Sequence, residues 1–180
     1  MEFATLIRAE SAKLEELHSA IHRTLPGRDR SPHLRREWEA ATRALHAYKS
    51  PLDPYIERAC TEAHYSDPEL LEFVIAFLES DAWFFRSGYL KEVFITRLKR
   101  SVLAETAKIR LRGVLLDAVN RRGTREFKRY CRLATVVADR KLLADLDSAA
   151  ADSGDRSRAS RASMMRDHIQ QASKCESTPS

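Results

Sequence analysis

The sequence predicts an all-α fold, and three observations predict it. Apolar residues recur at three- and four-residue steps from Phe3 to Leu146, the period that places side chains on one face of an α-helix. Helix-boundary pairs punctuate the pattern at Pro26-Gly27, Ser31-Pro32, Asp53-Pro54, Asp67-Pro68 and Arg122-Gly123. Glycine is scarce, at 5 of 180 residues, beside 43% hydrophobic and 32% charged content, a composition suited to amphipathic helices over a core. The expected architecture is an antiparallel bundle of about seven to eight helices or a HEAT-like stack of helix pairs, because short connections make neighbours antiparallel. No motif recurs at a fixed period, as a solenoid would require.

The first helix is expected from Phe3 to about Leu25, with Leu6, Leu14, Leu17, Ile21 and Leu25 on one face and Pro26-Gly27 as its stop. Ser31 as cap and Pro32 at the first helical position open the second, which runs to about Lys49 and turns Leu34, Trp38, Ala41, Leu45 and Tyr48 inward. A third, from about Pro54 to His64, carries Tyr55, Ile56, Ala59, Cys60 and Ala63. Ser66-Asp67-Pro68-Glu69 is a strong helix start, with a capping side chain and an acid favourable to the helix dipole. The helix it opens, Pro68 to Ser80, is apolar around most of its circumference and is expected to be central.

Ser80-Asp81 is read as the cap of the next helix, Ala82 to about Val102, which takes Trp83, Phe84, Tyr89, Leu90, Val93, Phe94 and Leu98. Gly88 inside it costs roughly 1 kcal/mol against Ala and is read as allowing close helix approach. A helix from about Ala104 to Arg122 buries Leu111, Val114, Leu115, Ala118 and Val119 and ends at Gly123. Thr124 caps the next, with Phe127, Tyr130, Cys131, Ala134, Val137 and Ala138 facing in. A last short helix spans about Lys141 to Ala150. The expected central core is Leu71, Val74, Phe77, Leu78, Phe94, Leu98, Leu115 and Val119. Residues 1–150 are thus expected to form one helical domain. Residues 151–180 are expected to be a flexible polar tail, because the stretch DSGDRSRASRAS has no large apolar side chain to offset its ordering entropy.

Charge is unevenly divided along the chain. Residues 86–141 hold 16 Lys and Arg against 5 acids, while residues 1–85 hold 10 against 15. A basic half on an acidic half predicts a surface that draws anions to one end. After the apolar face is subtracted, Arg125, Lys128, Arg129 and Arg132 share the outer face of their helix, with Lys108 and Arg112 at i, i+4 on the preceding one. Arg97, Lys99, Arg100, Arg121 and Arg122 gather near helix ends. The candidate anion-binding set is Arg97, Arg100, Lys108, Arg112, Arg121, Arg122, Arg125, Lys128, Arg129 and Arg132, with Phe84 and Phe85 as candidate aromatic contacts. The bland alternative is that these cations are solvated or pair with the acidic half of the same molecule.

No GxGxxG, GxxxxGK[ST] or GxSxG motif is present, so no catalytic residue, cofactor or metal is assigned and a non-enzymatic role is expected. Glu15, His18 and His22 share a helical face, as carboxylate-bridged metal bundles require, but such bundles need the motif twice and it occurs once. Cys60 and His64 make a similar incomplete pair. Three widely spaced cysteines and no CxxC argue against a disulfide framework and for a reducing, cytoplasmic setting. No apolar run nears the roughly 20 residues that cross a bilayer, and the first residues lack a signal peptide's apolar centre. The expected function is therefore a helical binding module whose basic 86–141 face engages an anionic macromolecule, nucleic acid before an acidic protein. The alternative is a protein–protein adaptor or assembly subunit with no nucleic-acid role.

Overall fold

A computed structural model of the chain describes residues 2–82, 84, 87–121 and 126–176, with side chains as far as Lys174. Among the described residues there are nine α-helices, one 3-10 turn and no strand. They are α1 (Phe3–Thr24), the 3-10 turn Leu25–Gly27, α2 (Pro32–Ala47), α3 (Asp53–Thr61), α4 (Pro68–Glu79), α5 (Ser87–Leu98), α6 (Glu105–Asn120), α7 (Phe127–Val137), α8 (Arg140–Ala151) and α9 (Arg156–Glu176). Several boundaries follow from local chemistry. Ser31 accepts from the Leu34 amide at 3.3 Å, Asp67 from Glu69 at 2.9 Å and Asp139 from Leu142 at 2.7 Å, each side chain satisfying a first-turn N–H.

The helices close on themselves. α4 packs on α6, α6 on α7, α7 on α5, α5 on α3 and α3 on α4, a circuit that makes a closed bundle rather than an open stack of pairs. Its centre is α4, where Leu70 and every residue from Phe73 to Leu78 are buried. Of the expected core, Val74, Phe77, Leu78, Phe94, Leu98, Leu115 and Val119 are buried, and Leu71 is half-buried at the margin. Phe77 meets Phe94 edge-on at 5.2 Å between ring centroids, and Phe73 lies 6.0 Å from Phe77 and 5.5 Å from Phe3.

Two flanking units depart from expectation. α1 joins the bundle through Phe3, Ile7 and Glu10, its buried residues, and through its packing on α4. α2 has no buried residue and packs on α1 and the 3-10 turn. Leu34, Trp38, Ala41, Leu45 and Tyr48 are therefore only half-buried, because two helices cannot enclose both of each other's faces. The hairpin is latched at its base, where the Glu10 carboxylate accepts from the hydroxyls of Tyr48 and Ser50, both at 2.7 Å.

The second departure corrects the expected flexible tail. Residues 156–176 are helical, and α9 packs along both α7 and α8. Ala162, Met165 and Ile169 are buried, at i, i+3 and i+7 of one face. Composition hides this stripe because the segment 152–163 has no large apolar side chain, and the two large members, Met165 and Ile169, lie beyond it. Met165 is fully buried, so Met165→Ala is expected to cost about 2–3 kcal/mol. Urea unfolding checks this, and a loss below about 0.5 kcal/mol would mean α9 contributes no packing.

The start of α5 is a further correction. The helix begins at Ser87 rather than Ala82, and Ser80-Asp81 does not cap it. Ser80 ends α4, and Asp81 takes the left-handed conformation at φ 46°, which turns the chain. Gly88 is not a close-approach site either, since a Cβ there would meet the Glu126 carboxylate at an ordinary 3.7 Å. Thr124, expected to cap the next helix, lies outside the described residues.

Candidate functional site

α5 and α7 lie side by side, and their sequences decide what faces the seam between them. α5 buries Lys91, Phe94, Ile95 and Leu98. Its adjoining stripe, Tyr89, Val93 and Thr96, follows the i, i+4, i+7 spacing of one helical face, and Arg100 lies two residues past the helix's end. α7 buries Phe127, Tyr130, Cys131, Leu133, Ala134 and Val137, which leaves Lys128, Arg129 and Arg132 outward. Two adjoining hollows open along the seam. One, of about 310 Å³, is lined by Tyr89, Glu92, Val93, Thr96, Arg97, Arg100 and Arg129. The other, of about 370 Å³, is lined by Ile95, Thr96, Lys99, Arg100, Arg129 and Arg132. They share Thr96, Arg100 and Arg129, so together they make one groove.

The cations of the basic half divide into two sets. Lys99, Arg100 and Arg132 make no ion pair among the described residues, and Arg129 is loosely paired, its Nε 3.9 Å from Glu92. All four line the groove. The other set is held inside the fold. The Arg97 guanidinium donates to the carbonyls of Ala59 at 3.2 Å and Cys60, capping the last turn of α3. Arg112 donates to the Val137 carbonyl at 3.0 Å and pairs with Asp139 and Glu105, tying α6 to the α7–α8 turn. Arg121 pairs with Asp81 at 2.7 Å. Arg110 forks onto Glu72 and Glu79 of α4, which raises its already high pKa further.

The candidate set is corrected accordingly. Arg97, Arg112 and Arg121 each already donate to carbonyl or carboxylate partners within the fold. Arg100, Arg129 and Arg132 come together in the groove. Lys108 is half-buried on α6 and Lys128 exposed on α7, and neither lines the two hollows. Phe84 turns inward and packs edge-on against Phe77 at 6.0 Å, so it is no free aromatic contact. Phe85, Arg122 and Arg125 lie outside the described residues. Tyr89, Thr96 and Lys99 are groove residues that the sequence reading did not assign. Tyr89 is placed there in the core, yet it is 55% exposed. The signal that finds it is the α5 stripe itself, which is offset from the Phe94 and Leu98 face.

Two thiols look inert. Cys131 is fully buried and its pKa is pushed up to about 11 by burial; burial also raises that of Cys60, against the pull of the Arg97 charge. The His18 and His22 rings meet edge-on at 4.6 Å, and among the described residues no three His, Cys, Asp or Glu side chains gather as a metal site. Among the described residues, too, no helix is long and apolar enough to cross a membrane. No protein-family model, curated protein or solved structure matches the chain.

Proposed function

We propose that the protein is a non-enzymatic binding module whose α5–α7 groove engages an anionic macromolecule, and that this partner is nucleic acid. One observation carries the reading. Lys99, Arg100, Arg129 and Arg132 converge on a single groove, where Arg97 also lies with its donors turned to carbonyls, whereas Arg110, Arg112 and Arg121 are paired elsewhere. Three of the four are Arg, whose planar fork suits phosphate. Contacts of this kind give salt-sensitive affinity with little sequence preference, because they touch the backbone and not base edges.

The test is Arg100→Glu/Arg129→Glu/Arg132→Glu, assayed for binding to labelled oligonucleotides across a salt series and for thermal stability. Arg100 and Arg132 are exposed, and the Arg129–Glu92 pair is long, so the melting temperature should move little. Binding should be lost near physiological salt. Each lost phosphate contact removes about 0.7–0.9 from the slope of log K against log salt. Unchanged binding by the folded variant would reject the groove as the site. Absence of any salt-dependent binding by the parent protein would favour the adaptor reading, for which the α1–α2 hairpin, with no buried residue in α2, is the contact surface on offer.

A further inference from the structure

We infer that the groove takes a single strand rather than a duplex, with an unpaired base resting on Tyr89; the inference rests on the nucleic-acid reading above. The groove has two chemically different ends. Ile95, Lys99 and Arg132 line one hollow alone, and Tyr89, Glu92, Val93 and Arg97 line the other alone, the Arg97 guanidinium donating to the Ala59 and Cys60 carbonyls. Arg100 and Arg129 sit between, shared by both. Phosphates are drawn to the first end. At the second, the cations are engaged, Arg97 by carbonyls and Arg129 by Glu92, while the exposed Tyr89 ring beside Val93 offers a flat surface.

That pairing of a cationic track with an aromatic platform is how unpaired strands are held, since every base has a face to stack and every linkage a charge. From Tyr89 to the end of α5 at Leu98 the helix rises about 14 Å at 1.5 Å per residue, with Arg100 just past its end, enough for a short run of nucleotides. A duplex fits poorly. Its bases are stacked inside, so Tyr89 would have nothing to stack on. Its rigid cylinder is also much wider than a seam between helices whose axes lie about 8–10 Å apart.

The experiment is fluorescence anisotropy with a labelled polythymidine strand, a labelled polyuridine strand and a labelled mixed-sequence duplex of equal length, at low salt. It uses the full chain, Tyr89→Ala, Tyr89→Phe and Lys99→Glu/Arg132→Glu, each checked for its melting transition. The parent should bind the single strands roughly tenfold or more tightly than the duplex, and Tyr89→Ala should weaken single-strand binding about tenfold while leaving the salt slope unchanged. Tyr89→Phe should bind as the parent does, because it keeps the ring. Equal affinity for strand and duplex, or full binding by folded Tyr89→Ala, overturns the inference. If strand and duplex bind equally and Lys99→Glu/Arg132→Glu weakens both, the groove reading survives while the single-strand assignment falls. If the parent binds neither, both fall together.

Discussion

Phe77→Ala is expected to destabilise the protein by about 3–5 kcal/mol, the usual cost of emptying an aromatic site in a packed core. Phe77 is fully buried on the central helix α4 and touches three aromatic rings from three directions. Phe73 lies 6.0 Å away, Phe84 6.0 Å and Phe94 5.2 Å. These neighbours belong to α4 itself, to the segment before α5, and to α5. A cavity at this point therefore loosens the contact that sets how α5 sits on the bundle. Collapse is restricted, because Phe73 is also held by Tyr55 at 5.2 Å and Phe94 by Phe73 at 6.2 Å. Urea unfolding gives the number, and a loss below about 1 kcal/mol would mean α4 is not the centre of the fold.

Asp81→Asn is expected to cost about 2 kcal/mol, although it changes one atom and keeps the residue's shape. Asp81 holds the left-handed conformation at φ 46°, which Asn also tolerates, so the backbone turn survives the change. What is lost is the charge. The Lys91 ammonium is 97% buried by side chain and lies 2.6 Å from one Asp81 oxygen, and the Arg121 guanidinium lies 2.7 Å from the other. Asp81 is 39% exposed but the ammonium it faces is buried, and leaving a buried charge without its partner is costlier than removing both. Lys91→Met in the Asp81→Asn background should therefore recover much of the loss. A single-variant loss below about 1 kcal/mol would mean that Lys91 reaches water when its partner is neutral. Burial, with the nearby Asp81 and Glu126 charges, also raises the pKa of the Tyr130 phenol.

Much of the architecture was legible in the sequence, and the reason is range. A 3.6-residue apolar period is a local property, and so is a capping side chain two or three residues before the amide it accepts from. Ser31 and Asp67, read as caps from the sequence, accept from amides at that spacing, as does Asp139, which that pattern did not single out. The centrality of α4 follows in the same way, from apolar residues around its circumference. Local signals failed where the competing partner was distant. Ser80-Asp81 has the form of a helix cap, but the Asp81 carboxylate is taken by Lys91, 10 residues away, and by Arg121 across the bundle. The stretch after Ala151 has the composition of a tail, but α7 and α8 supply the surface that orders it.

The candidate site shows the same division. By itself the sequence determined that residues 86–141 carry excess positive charge and that Arg129 and Arg132 face away from the core of their helix. It could not sort the arginines. Arg110 reaches Glu72 at a separation of 38 residues, Arg97 the Ala59 carbonyl at 38, and Arg112 Asp139 at 27. Only the tertiary structure decided which cations were neutralised in this way, and which were left along the seam where α5 meets α7. The physical reason is that helix formation is settled within a few residues of each position, whereas the partner of a long, flexible charged side chain is settled by which helices cross beside it.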